Sequence, residues 1–270
     1  MHDIWNAIVL GIIEGLTEFL PVSSTAHLLV AEKALMLDDR HWHAFTVVIQ
    51  LGAILSVVAV YWTKFWKVLF GLGSDPWARQ FTAGVIVAFL PSALLGVAGI
   101  KLLNEFLLNP TRALPVIATT WIVGGIIMLV FERMAPEPRY TDGDRLPLMK
   151  CLQIGLCQCL ALLPGVSRSG ATILGGELLG VERKAIAHFT FYLAVPTMLG
   201  AAVFELYKEW HELSAADGTT IAVGFVVSFF VAWIVVRGFI DFVGRFGLVP
   251  FGWYRIATGA ALLAYLVFAT

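Results

Sequence analysis

The stretch from 14 to 27 reads Glu14-Gly15-Leu16-Thr17-Glu18-Phe19-Leu20-Pro21-Val22-Ser23-Ser24-Thr25-Ala26-His27. It interrupts an otherwise apolar segment covering residues 4–36. Proline ends the helix before it, because its ring clashes with the preceding turn and carries no N–H. A serine or threonine soon afterwards can cap a new helix. The pattern predicts helix, break, helix. Residues 150–180 repeat it around Pro164-Gly165-Val166-Ser167-Arg168-Ser169-Gly170. In a bilayer, such a break is stable only where protein or a water-filled cavity satisfies its backbone. Both segments are therefore predicted to be re-entrant hairpins, each entering and leaving on one side.

Outside the hairpins, six stretches approach the roughly 20 apolar residues that a spanning helix needs: 44–63, 80–103, 113–132, 186–207, 219–240 and 249–269. The 270-residue chain is 59% hydrophobic and 14% charged, against about 25% charged in a soluble domain. The fold class predicted is an all-α polytopic membrane protein. A net charge of -1 supplies no basic excess for nucleic acid. Cys151, Cys157 and Cys159 lack the second ligand pair of a zinc site and read as small packing residues. The N-terminus has no cationic region or small-residue cleavage site, so the first helix is expected to remain in the mature chain.

The two broken segments align without a gap. Gly11 matches Gly155, Leu16 matches Leu160, Val22 matches Val166, Ser23 matches Ser167, Phe45 matches Phe189 and Thr46 matches Thr190, each offset by 144 (155 minus 11). This divides the chain into a first repeat, 1–133, a linker, 134–149, and a second repeat, 150–270, each a hairpin followed by three spans. Three crossings between hairpins give the halves opposite orientations, the inverted-topology repeat of folds whose sites lie at broken helices near the midplane. Twelve lysines and arginines, Arg255 among them, fall on the linker's side and five on the side of the N-terminus. The positive-inside rule then puts the linker in the cytoplasm and both termini outside. Asp142 and Asp144 in the linker read as a solvated turn. His188, Glu205 and Asp241 read as interfacial anchors, and Trp5, Trp62, Trp66, Trp121, Trp210 and Trp253 as an aromatic belt.

The breaks carry the chemistry. Glu14 and Glu18 are one helical turn apart and share a face. Each costs about 2.5 to 3.5 kcal/mol to insert mid-membrane, and the pair repels itself unless a cation or proton intervenes. Hard oxygen ligands of this kind suit magnesium or calcium. Ser23, Ser24 and Thr25 would offer hydroxyls and unpaired N–H groups at a helix start, where the macrodipole favours an anion. His27 stands close enough to serve as base, acid or nucleophile. Ser167, Arg168 and Ser169 occupy the matching place in the second hairpin, and a guanidinium can clamp phosphate oxygens bidentately. A resting salt bridge from Arg168 to Glu14 or Glu18 is compatible with that role. Gln50 and Thr172 are candidates to complete the shell. The fitting ligand is a phosphate or pyrophosphate carried on a lipid.

The segments Glu14 to Thr25 with His27, and Pro164 to Thr172, resemble the two signature motifs of bacterial undecaprenyl-diphosphate phosphatases, and the likeness extends over essentially the whole chain. The resemblance implies hydrolysis of undecaprenyl diphosphate to the monophosphate carrier of peptidoglycan synthesis, a multi-pass place in the bacterial plasma membrane, and a link to bacitracin resistance. It implies Glu14 and Glu18 as metal-associated acids, with Ser24, His27 and Arg168 as catalytic and phosphate-binding groups. Ala26 departs from the glycine that many members carry there, adding only a methyl. The motifs of the other common membrane phosphatase family are absent, since its histidine position after Ser167-Arg168 is Leu174. The mechanism expected is attack by Ser24 with His27 assisting proton transfer, direct attack by His27 or by water being the alternatives. A transporter or flippase of a phosphorylated prenyl lipid is the rival from another class. Membrane lipids and a second copy of the chain complete the expected partners.

Overall fold

A computed structural model describes residues 2–37, 40–106, 112–209 and 218–268. Both hairpins form. The first joins α1 (His2–Thr17) to α2 (Ser24–Ala34). The second joins α7 (Leu148–Gln158), prolonged by a 3-10 turn over Cys159–Leu162, to α8 (Arg168–Leu178). Between them run α3 (Arg40–Val60), α4 (Trp62–Gly71), α5 (Pro76–Phe106) and α6 (Ala113–Glu132). After them come α9 (Arg183–Glu209), α10 (Gly218–Phe246) and α11 (Val249–Phe268). Among the described residues the only β feature is an isolated bridge between Tyr140 and Val181. Among the described residues, five helices are long and apolar enough to cross a membrane, and α3 with α4 makes a sixth if that bent pair is one span.

The hairpins pack crosswise. The first helix of each leans on a long helix of the other half, α1 on α10 and α7 on α5. The matched glycines explain how closely they approach. A Cβ on Gly11 would lie 2.7 Å from the Gly224 carbonyl oxygen, and one on Gly155 would lie 2.3 Å from that of Ala88. Without a hydrophobic force between helices in lipid, such small-residue contacts are what let backbones associate. Leu16 and Leu160, also matched, are both exposed to the surroundings. α3 pairs with α9, and α6 with α11.

Four expectations are corrected. The stretch 44–63 is not one straight span: the chain turns by 76° at Tyr61 into α4, which has no buried residue. Its Lys64 and Lys67 alternate with Trp62, Trp66 and Phe70, an interfacial rather than a spanning composition. Lys64 also forms an ion pair with Asp144, with its ammonium 3.9 Å from the Tyr192 ring centre, so Asp144 ties the linker down instead of lying free in a solvated turn. Trp121 is only 3% exposed and packs on His27, so it is not a belt residue. Trp5, Trp62, Trp66 and Trp253 are exposed, and Trp210 lies outside the described residues. Arg255 is 1% exposed inside the bundle, which takes it out of the count of basic residues and leaves eleven against five.

Candidate active site between the two hairpin breaks

Glu18 follows the last turn of α1, its N–H still donating to the Glu14 carbonyl at 2.9 Å. That turn aims its carboxylate across the first break toward the start of α2 and toward the second hairpin. One oxygen, Oε2, accepts a short hydrogen bond from Ser24 Oγ. The other, Oε1, accepts from Arg168 Nη2 at 3.2 Å. The two ion-pair side chains are only 9% and 11% exposed. Arg168 Nη1 donates to the Thr190 carbonyl at 3.3 Å, which pins the guanidinium from behind. The predicted hydroxyl, acid and cation thus meet at one point although 150 residues separate Glu18 from Arg168. A cavity of about 230 Å³ opens there. Seven predicted residues line it: Glu18, Ser23, Ser24, Thr25, Gln50, Ser167 and Arg168.

The two helix starts that face each other differ. Ser23, ahead of α2, sits at φ +72° and gives no side-chain cap. That region is unfavourable for a residue with a Cβ and clusters at functional sites. Ser167, ahead of α8, is an ordinary extended N-cap whose hydroxyl accepts from the Gly170 N–H at 3.2 Å. The positive end of α2 is therefore left without a side-chain cap beside Ser24, a suitable cradle for an anion.

Other predicted residues stand elsewhere. The His27 ring is not part of the cavity lining. Its Nδ1 is 2.8 Å from the Ser23 carbonyl and its Nε2 is 2.8 Å from the Tyr254 hydroxyl. The ring stacks on Tyr254 at 5.7 Å and meets Trp121 at 4.6 Å. Thr172 is buried behind the site, donating to backbone carbonyls of α8 and accepting from Thr190 at 3.1 Å. Ser169 and Ser167 both donate to the Leu20 carbonyl, at 2.9 and 3.3 Å, and so bind one break to the other. Glu14 is fully buried a turn behind Glu18, and neither of its oxygens has a hydrogen-bond partner.

Two polar features escaped the sequence reading. Gln158 lines the cavity with Ser92 and Thr197, its amide donating to Ser92 Oγ at 2.7 Å. It matches Glu14 in the repeat (158 minus 14 is 144), and that alignment was the available signal. Arg255 donates to the carbonyls of Pro21, Thr120 and Gly165, at 3.3, 3.0 and 2.9 Å. An arginine just under two turns into an apolar helix was itself a signal.

The chain matches the family model described as "Bacitracin resistance protein BacA" over residues 7–261. It is 49% identical to the undecaprenyl-diphosphatase of Caulobacter sp. (strain K31), over 96% of each chain. It is 48% identical, again over 96% of each, to the undecaprenyl-diphosphatase of Rhodopseudomonas palustris (strain BisA53). The protein of the same name from Bradyrhizobium diazoefficiens is 47% identical at the same coverage.

Proposed function

The chain belongs to the bacitracin resistance protein BacA family, and from that premise we propose how its residues carry out the reaction and from which side. The protein is a membrane phosphatase that removes the terminal phosphate of undecaprenyl diphosphate, leaving undecaprenyl phosphate. One observation carries the assignment of roles: Ser24 Oγ donates to a carboxylate whose second oxygen is held by Arg168.

Ser24 attacks the terminal phosphorus while Glu18 takes its proton as general base. The phosphoanhydride bond breaks, and undecaprenyl phosphate leaves with the electron pair. Arg168 lies beside the developing charge, where a planar fork of donors neutralises equatorial oxygens. The start of α2 supplies further N–H donors. Glu18 gives up that proton to the departing undecaprenyl phosphate or to solvent. Water then attacks the phosphoserine, passing a proton to Glu18, which returns it to Ser24 Oγ as the serine–phosphorus bond breaks and inorganic phosphate departs. Glu18 thereby replaces His27 as the base. With both ring nitrogens at hydrogen-bonding distance from Ser23 and Tyr254, the imidazole serves to hold the strained Ser23 backbone.

The donor set also fits a divalent cation. Glu14 has two buried oxygens without a hydrogen-bond partner one turn from Glu18, and two carboxylates so placed repel each other unless a cation or a proton intervenes. No group of three His, Cys, Asp or Glu gathers among the described residues. Glu14 and Glu18 would therefore hold magnesium or calcium together with oxygens of the substrate, as magnesium commonly is held. When bound, the ion supplies charge neutralisation to the diphosphate.

The purified protein in detergent should release phosphate from a long-chain prenyl diphosphate when magnesium or calcium is present, and EDTA should abolish that release. Equal rates with and without EDTA would remove the cation from the proposal, and no release above a heat-killed control would remove the residue roles.

The halves are proposed to be inverted, with both termini and the first hairpin on the extracytoplasmic side, a reading supported by the crosswise packing of α1 and α7 and the eleven-to-five basic bias. In a background with the native cysteines replaced, an impermeant maleimide on intact cells should label Asp3→Cys and spare Asp142→Cys. Labelling only at 142 reverses the orientation, and labelling at both contradicts the inversion.

A further inference from the structure

Among the described residues, Arg255 faces no carboxylate. Within hydrogen-bonding distance its guanidinium meets three main-chain carbonyls from three separate segments: Pro21 in the first break, Gly165 in the second, and Thr120 of α6. Its Nε is buried without a partner. Keeping a cation in such a place is expensive, and a bundle needing only packing would be served as well by leucine. The neighbouring residues make room for this group. A Cβ on Gly124 would fall 2.5 Å from Nη2 and 3.0 Å from Cζ, and Gly165, at φ +82°, has no space for one either, since it would lie 2.1 Å from Thr120 Oγ1.

The carbonyls chosen are informative. Pro21 lies three residues before Ser24 and three after Glu18, and Gly165 lies three residues before Arg168. A single planar group with several fixed donors thus clips the two breaks to each other, on a side that does not line the cavity. Ser169 and Ser167 make a parallel link to Leu20. We infer that Arg255 is a positioning residue for the phosphatase reaction: by clipping the two hairpin breaks together it sets the register of Ser24 and Glu18 against Arg168. This rests on the reading of those three as the reacting groups.

The consequences are specific. Arg255→Lys keeps the charge, but a point-like ammonium cannot reproduce the rigid planar fork that reaches all three carbonyls. It should lower kcat by roughly 10- to 100-fold, the cost of misplacing reacting groups by about an ångström, while KM changes less than about threefold. Gly124→Ala acts on the same group without touching it chemically. Its methyl has to push the guanidinium out of place, so it should lower kcat in the same manner, and add nothing further in an Arg255→Met background. Each rate is to be divided by the amount of folded, monodisperse protein.

A wild-type kcat per folded molecule in either Arg255→Lys or Gly124→Ala overturns the inference. So does a loss seen mainly in KM, which would mean that Arg255 meets the substrate, or a loss accounted for by less folded protein. Independent, multiplying effects of Gly124→Ala and Arg255→Met would also overturn it. Should Arg255→Met not accumulate, the Arg255→Lys and Gly124→Ala measurements still decide. Ser24→Ala run alongside separates the two levels. If it stays active the site itself is misassigned; if it is dead while Arg255→Lys and Gly124→Ala behave as wild type, only the role of Arg255 fails.

Discussion

The two hairpins are built from matching sequence but end in different helix starts. In the second, Ser167 takes an ordinary extended conformation and caps α8 through the Gly170 N–H. In the first, Ser23 is held at a positive φ, contributes no cap, and leaves the start of α2 open beside Ser24. One step further on, Ser24 matches Arg168, so a hydroxyl and a guanidinium face each other across the repeat and share Glu18 between them. On the proposed mechanism the two matched breaks divide the work, one carrying the reacting hydroxyl and the other supporting and neutralising. The supporting half spends its hydroxyls on the fold, Ser167 and Ser169 both reaching the Leu20 carbonyl.

If this division holds, the largest losses belong to the first hairpin. Ser24→Ala should lower kcat by at least about 10³-fold, as loss of a nucleophile does, and Glu18→Gln by on the order of 10²- to 10⁴-fold. Both are read as phosphate release per folded molecule. Substantial activity in Ser24→Ala would hand the nucleophile's role to water and erase the distinction between the hairpins.

Arg168→Lys should come next. It retains a positive charge but not the geometry that reaches Glu18 and the Thr190 carbonyl together, so a loss of roughly 10- to 100-fold is expected. A rate near wild type would show that the second hairpin contributes charge alone.

The smallest effect tests the caps directly. Ser167→Ala should lower stability by about 1 kcal/mol, the usual worth of a serine cap, whereas Ser23→Ala removes no cap and should leave the thermal midpoint within experimental error. Equal shifts in the two variants would mean that the helix starts are alike after all.

Much of this was legible in the chain. Pro21 and Pro164 marked both breaks, and the offset of 144 lined up Gly11 with Gly155, which the structure places at the two close helix crossings. Glu18 and Arg168 stood out because ionisable groups in an apolar segment are expensive, and Ser24 because a hydroxyl follows the proline break at a helix start; the structure brings the three together. The bend at Tyr61 was less visible, since an interfacial helix following a span without a break in composition looks like the span's continuation.

The sequence by itself determined that the protein lives in a membrane, where its helices break, and which residue types gather at those breaks, because hydropathy and proline act locally. Only the tertiary structure decided which way each polar side chain turns. His27 is drawn to Tyr254, a partner 227 positions away, and Thr172 to the Thr190 hydroxyl on the next helix. Arg255, counted on composition as a cytoplasmic-edge charge, finds its acceptors 234 and 90 positions away at the two breaks. Such choices depend on what a distant helix presents in a medium without water, where every polar group must find its partner within the protein.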